Sequence, residues 1–383
     1  MEKIQCRISE IGTVVGGGTP STKNPIYWGG DIPWISPKDL TDYKSTYISH
    51  GENFLTEKGL KSGTRLLPKD TVLFSSRAPI GYVALAANPI CTNQGFKSIV
   101  CDKNKVEPLY LYYYLKANLD YIKLFGTGAT FPEISGKTMG KIKIEIHKSL
   151  GTQCRIASIL STYDTLIENN TKRIRLLEKM AENLYKEWFV RFRFPGHEKV
   201  EMENGLPKGW TVEKVKDWCR VFTGRKDVNQ TKEDGQYVFF SCSPNTFHSD
   251  EFIYDGKAIL VAGNGSYTGR TRYFEGKFDL YQRTYAVVSN KEDDSFMFYL
   301  YLRFKFDFEP MHSGGTRGSA IPYIVMKDLT KYKFLYKEDI VEEYIKKVKP
   351  MFAEIDNLQQ QNILLARQRD LLLPRLMSGK LEV

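Results

Sequence analysis

The chain has 383 residues, a formal net charge of +10 and six cysteines with no Cys-x-x-Cys pair. This length fits two to three domains, the basic surplus permits a polyanionic partner, and the scattered cysteines and five isolated histidines argue against a disulfide framework or a zinc ligand set. A mean hydropathy of −0.38, no apolar run of about 18 residues and an N-terminus without a signal-peptide core exclude a membrane-spanning helix and predict residence in the cytoplasm.

Residues 1–147 read as a mixed, β-rich domain. Val72-Leu73-Phe74 is an apolar strand running into the polar turn Ser75-Ser76-Arg77. Asn93-Gln94-Gly95-Phe96 leads into a second strand, Lys97-Ser98-Ile99-Val100. An aromatic helix at Leu111–Leu115, a glycine-rich loop at Gly126–Thr130 and the strand Lys141–Ile144 follow. Residues 148–193 then read as one long helix. The stretch from Phe194-Pro195-Gly196-His197 to Leu206-Pro207-Lys208-Gly209-Trp210 is rich in Pro, Gly and charge, and reads as a linker opening 194–336. There the same elements recur in the same order at Ile259–Asn264, Tyr281–Val288, Phe298–Leu302, Gly314–Gly318 and Lys331–Phe334, each about 188 residues after its counterpart. Residues 337–383 supply a second long helix. An ordered series at one offset is an internal duplication. Tyr112–Tyr114 and Tyr299–Tyr301 are assigned to helix packing rather than base stacking.

The two long helices carry matching seams. In the first, Ile156, Leu160, Tyr163, Ile167, Ile174, Leu177, Ala181, Leu184 and Trp188 recur at alternating spacings of four and three, with Asn170 as the polar exception. The same offset gives Tyr344, Val348, Met351, Ile355, Leu358, Leu365, Leu372 and Leu376, with Asn362 and Arg369 as exceptions. Halves related by a pseudo-twofold axis bring these helices together antiparallel. Facing Asn170 with Asn362 pairs Trp188 with Tyr344 toward one end and Leu160 with Leu372 toward the other, and leaves Arg369 to stack on Tyr163. A slip by one heptad leaves each amide against an apolar side chain, at about 1–3 kcal/mol per unpaired group. Asn170 and Asn362 are therefore expected to set the register. Pro374 is expected to end or kink the second helix near its last turn. The expected fold class is α+β: two similar mixed α/β domains separated by two long antiparallel coiled-coil helices.

These residues resemble the specificity subunits of type I restriction-modification systems. The resemblance covers essentially the whole chain. It rests on Gly17-Gly18-Thr19-Pro20-Ser21, Ser75-Ser76-Arg77-Ala78-Pro79-Ile80-Gly81, Asn93-Gln94-Gly95-Phe96-Lys97, Leu206-Pro207-Lys208-Gly209-Trp210 and the closing Leu371-Leu372-Leu373-Pro374-Arg375-Leu376-Met377-Ser378-Gly379-Lys380. It implies two target-recognition domains, each reading half of a split double-stranded DNA sequence across an antiparallel helical spacer. It also implies assembly with two modification subunits, which carry S-adenosylmethionine and methylate adenine N6, and with motor-nuclease restriction subunits. No cofactor is expected in this chain. The second half departs from the family wording, with Ala262-Gly263-Asn264-Gly265 and Tyr281-Gln282-Arg283 at the matching places.

Catalytic signatures do not compete well. Asn24-Pro25-Ile26-Tyr27 lacks the second proline of the amino-methyltransferase motif, and Gly16-Gly17-Gly18-Thr19 is followed by no Gly-Lys-Ser/Thr. No catalytic residue and no metal ligand is assigned. A self-contained methyltransferase and a protein-binding repeat scaffold are the alternative readings. DNA contacts are expected from polar loop residues beside glycines, where Arg and Lys match guanine O6/N7 and Asn and Gln match adenine N6/N7. In the first domain these are Thr19, Ser21, Ser76, Arg77, Asn93, Gln94, Lys97, Thr127 and Thr130. In the second they are Arg225, Lys226, Asn264, Arg270, Gln282, Arg283, Thr316 and Arg317.

Overall fold

The computed structural model describes residues 2–128, 132–313 and 322–383; the candidates Thr130, Thr316 and Arg317 lie outside them. The chain forms two compact units, Met1–Lys172 with Leu358–Val383, and Arg173–Asn357. The division falls inside both long helices.

The first unit is built on a five-stranded sheet in the order Gly12–Gly16, Lys97–Cys101, Val72–Ser76, Ile80–Ala86 and Tyr47–Ile48. All neighbours are antiparallel except the last pair, which is parallel. Val72, Leu73 and Phe74 are fully buried, so the central strand is covered on both faces. A smaller sheet joins Asn53–Leu55, Trp28–Ile35 and Cys91–Thr92. The helix Pro108–Ala117 buries Tyr112, Tyr113 and Tyr114, as a packing role requires. The N-terminal strand Lys3–Arg7 pairs antiparallel with Lys143–His147.

The second unit repeats this plan. Its sheet runs Cys219–Thr223, Thr284–Ser289, Tyr254–Ala262, Thr271–Leu280 and Tyr237–Phe240, again with a parallel fourth pairing, and adds Thr246–Ser249 antiparallel at the edge. Individual backbone bonds repeat as well. Ser76 N donates to Gly95 O at 2.7 Å, and Ser76 O accepts from Ile134 N at 3.0 Å. Gly263 N donates to Arg283 O at 2.9 Å, and Gly263 O accepts from Ile324 N at 2.9 Å. The Pro- and Gly-rich stretch after the first long helix is anchored rather than loose. Phe194 is buried, and Trp210 packs against Phe189, Phe192 and Phe194.

The first long helix is Leu150–Tyr185, followed by one π-turn at Lys186–Val190; the second is Glu338–Ser378. Within the second unit they run antiparallel, with Trp188 and Tyr344 rings 5.9 Å apart and Tyr344 Oη donating to Ala181 O at 3.4 Å. Within the first unit they are antiparallel too, but two details differ from expectation. Arg369 does not turn to Tyr163; it pairs with the buried carboxylate of Asp164, which also accepts from Tyr113 Oη at 2.5 Å. Asp164 offers the guanidinium a full opposite charge and a hydrogen-bond acceptor, which a ring face does not. Pro374 does not end the helix either, which continues to Ser378 and stops at Gly379, whose φ of 75° is in the left-handed region. Interior proline costs about 3 kcal/mol. Leu376 and Met377 just beyond it are buried in the core of the first unit, each contributing about 1.5–3 kcal/mol.

Asn170 and Asn362 lie in the same layer of the first unit, yet they do not bond each other. Asn170 Nδ2 donates to Gln361 Oε1 at 3.3 Å and Asn362 Nδ2 donates to Thr171 Oγ1 at 3.4 Å, so each amide reaches the neighbour of the other. Asn362 Oδ1 is buried with no hydrogen-bond partner among the described residues.

Candidate nucleic-acid interface

In both units the nominated residues that are described gather at one end of the central sheet, where strands turn over in short loops. In the first unit the loop after Gly12–Gly16 carries Thr19, the turn after Val72–Ser76 carries Arg77, and the loop before Lys97–Cys101 carries Asn93 and Gln94. Glycine lets these loops stack closely: a Cβ at Gly17 would lie 2.0 Å from Asn93 O. Gly224 occupies the matching place in the second unit, where a Cβ would lie 1.8 Å from Leu280 O.

The turn bearing Arg77 is fixed by a buried serine. Ser75 Oγ donates to Pro79 O at 2.8 Å and accepts from Gly81 N at 3.1 Å and Tyr82 N at 2.7 Å. Two further candidates serve the same scaffold instead of facing outward. Ser76 is fully buried and donates to Gly95 O at 3.1 Å. Asn93 Oδ1 accepts from Gly95 N at 2.8 Å, the bond of an Asx turn. Lys97, 14% exposed, reaches Gln94 O at 3.1 Å, Ser76 Oγ at 3.4 Å and Glu133 Oε1 at 3.1 Å. The outward candidates are Thr19, hydrogen-bonded to Gln94 Oε1, together with Ser21, Gln94 and Thr127, all exposed, and Arg77, 38% exposed. Thr127 closes its loop through paired backbone bonds with Glu133 at 3.0 and 2.9 Å.

Glu133 joins this cluster, although the sequence reading did not include it. Its Oε2 lies 3.3 Å from Arg77 Nη1, while Oε1 holds Lys97. Burial pushes the carboxyl upward, but the bond to Lys97 and the charges of Lys97 and Arg77 outweigh it and hold the group below its ordinary range. Glu133 is thus an anion within a basic cluster. Only the folded chain brings it to Arg77, which is 56 residues away.

The second unit fills the same sheet end differently. Lys226 is held by Asp279 at 2.8 Å, Glu251 at 3.0 Å and Ser249 Oγ at 2.9 Å. Burial opposes its charge, yet those bonds outweigh burial and raise its pKa above the ordinary lysine value. Lys226 therefore braces the loop rather than reaching outward. Arg225, Gln282 and Arg283 are exposed beside it, Gln282 Nε2 donating to Asp227 Oδ2 at 3.3 Å. Arg270 lies over the Tyr267 ring at 5.5 Å. Asn264 follows Gly263 as Arg77 follows Ser76, and bridges to Tyr323. Polar and cationic side chains on tight loops can bond phosphates and base edges. Among the described residues, no cluster of His, Cys, Asp or Glu could hold a metal ion, and no helix is long and apolar enough to cross a membrane.

Comparison with known proteins agrees with this architecture. Residues 2–179 and 207–336 match the family described as type I restriction modification DNA specificity domain. The chain is 37% identical to the type I restriction enzyme MjaIX specificity subunit of Methanocaldococcus jannaschii, across 98% of this chain and 93% of that protein. It is 30% identical to the type I restriction enzyme EcoDI specificity subunit of Escherichia coli, across 46% of this chain and 39% of that protein. The crystal structure of a type I restriction-modification system S subunit from M. genitalium shares the fold, with a TM-score of 0.66 at 16% identity over 98% of this chain and 96% of that one. Matched across both halves of its length, the chain belongs to the family of type I restriction-modification specificity subunits.

Proposed function

We propose that the chain recognises a bipartite DNA target, each unit's sheet-end loops reading one half, and directs modification and restriction subunits to it. Specificity subunits are non-catalytic, the chemistry residing in partner subunits. On this reading S-adenosylmethionine belongs to two modification subunits, and the chain works on genomic DNA in the cytoplasm. The long helices act as the spacer, with Asn170 and Asn362 setting its register. The observation that carries the reading is the repeated loop cluster: one sheet order occurs twice, and its matching ends carry different polar side chains. A shared scaffold with divergent tips is what reading two different half-sites by direct contact requires.

The test is exchange of residues 194–336 for the equivalent segment of another family member, in the complete methyltransferase complex, followed by methylome sequencing. One half of the methylated motif changes and the other is kept. Alteration of both halves in an intact complex would overturn the division of labour.

A further inference from the structure

The cluster around Glu133 holds an arrangement that the functional reading does not require. Arg77 sits on a turn whose backbone is pinned by Ser75. Its side-chain stem lies near Gly95, where a Cβ would be 3.6 Å from Arg77 Cγ. Its guanidinium is anchored through Nη1, 3.3 Å from Glu133 Oε2. That carboxylate is fixed from its other oxygen by Lys97, itself tied to Gln94 O and Ser76 Oγ. A freely rotating arginine pays side-chain entropy to form a planar, two-bond contact; a propped one pays less.

We propose that Glu133 is a positioning residue for Arg77, holding its guanidinium so that its remaining N–H groups contact a guanine in the half-site read by the first unit. The inference rests on the functional reading above and adds a base to it. Glu133 opposes DNA electrostatically, since it places a negative charge among cations that meet phosphates. Removing it therefore separates two effects. Loss of a repelling charge leaves binding to unrelated DNA equal or slightly tighter. Loss of a positioning group weakens the distinction between guanine and other bases at one position. A purely structural or purely electrostatic Glu133 would not produce this split.

The experiment uses the full chain assembled with its modification subunits. Methylome sequencing first defines the wild-type motif, and the 194–336 exchange assigns its halves. Fluorescence anisotropy then compares a labelled duplex carrying the motif with duplexes substituted at each guanine of the first unit's half, and with unrelated DNA. For Glu133→Gln the preference at one guanine falls about tenfold, the scale of one bidentate base contact. Preference in the other half is kept, and affinity for unrelated DNA stays equal or rises by less than about threefold, as expected for one charge at the interface. Glu145→Gln, which removes an exposed carboxylate on the strand Lys143–His147, is the charge-matched control and keeps every base preference. Arg77→Lys retains the charge without the fork and loses the same preference, which supplies the test if Glu133→Gln fails to fold. Unchanged preference in Glu133→Gln or in Arg77→Lys overturns the proposal, as does a first half-site without a required guanine. A wild-type complex with no motif dependent on this chain would instead fail the functional reading itself.

Discussion

The two units each repeat one sheet plan and differ in how they hold the loops at its matching end. In the first, an anion braces the cations: Glu133 ties Lys97 to Arg77 between loops. In the second, Lys226 is braced by Asp279 and Glu251, and the place matching Arg77 is taken by the neutral Asn264. Duplication therefore preserved the backbone that positions the loops while the side chains on them diverged. The buried strands could not vary in the same way. Val72, Leu73 and Phe74 and their counterparts Ile259, Leu260 and Val261 are covered on both faces and tolerate little but apolar exchange.

The same contrast extends to the helices, and the largest expected effect lies there. Asp164 and Arg369 pair with side chains only 8% and 20% exposed, whereas Arg173 and Glu354 in the second unit pair at 58% and 36%. Asp164→Ala strands Arg369 and the Tyr113 hydroxyl and is expected to destabilise the protein by about 3 kcal/mol, near the lower end for a broken buried pair because Arg369 keeps Asp370. Arg173→Ala is expected to cost about 0–1 kcal/mol, as exposed pairs do. Denaturant unfolding of the two variants measures the difference, and equal costs would remove the distinction between the two ends of the helix pair.

A second, smaller effect separates the working ends. Arg77→Ala is expected to relax a guanine preference in one half-site, and Asn264→Ala an adenine preference in the other, each by about 1–3 kcal/mol of discrimination. Binding competition with singly substituted duplexes reads both. Relaxation of the same half-site by both variants would contradict the assignment of one half to each unit.

Much of the architecture was legible in the chain itself, because duplication and heptad spacing are periodic and need no knowledge of distant contacts. The buried tyrosines of both aromatic helices were legible for the same reason. The candidate site was less so. Ser76, Asn93, Lys97 and Lys226 have the right chemistry for DNA but spend it on the scaffold, and nothing local distinguishes them from outward neighbours such as Arg77 and Arg225. Glu133 is not legible as a candidate, because an acid is a poor match for a polyanion's site until its two cationic partners are seen. Pro374 misled for a related reason. Its local cost is visible in sequence, whereas the burial of Leu376 and Met377 that offsets it is tertiary. Heptad position alone sets Arg369 against Tyr163, whereas in the structure it pairs with Asp164, one residue away and off the seam.

The smallest effect concerns acid. The strand end at His147 in the first unit corresponds to Lys337 in the second, so one unit buries an imidazole where the other has an amine at partial exposure. Tyr110 Oη lies 2.9 Å from His147 Nδ1, and Nε2 is buried with no partner among the described residues. Burial, and then the charge of Lys3, hold the pKa of His147 below its ordinary value of 6.5. The folded state therefore resists the proton that the unfolded chain accepts. Stability contributed by the neutral ring is complete above the unfolded value and declines as pH falls through about 6.5, levelling only below the folded pKa. Gly379, where the second long helix ends, stands beside this ring; a Cβ there would be 3.6 Å from Nε2. Acid loosening should consequently begin where the closing segment meets the first unit. Hydrogen exchange, corrected for the intrinsic amide rate at each pH, is expected to show weaker protection at pH 5.5 than at pH 7.5 at the start of the first long helix and the end of the second. His147→Gln, which cannot take up a proton, is expected to flatten that pH dependence even if it lowers stability overall. An unchanged acid response in this variant would assign the loosening to other groups, and equal loosening of the second unit's strand Lys333–Tyr336 would remove the contrast between the two units.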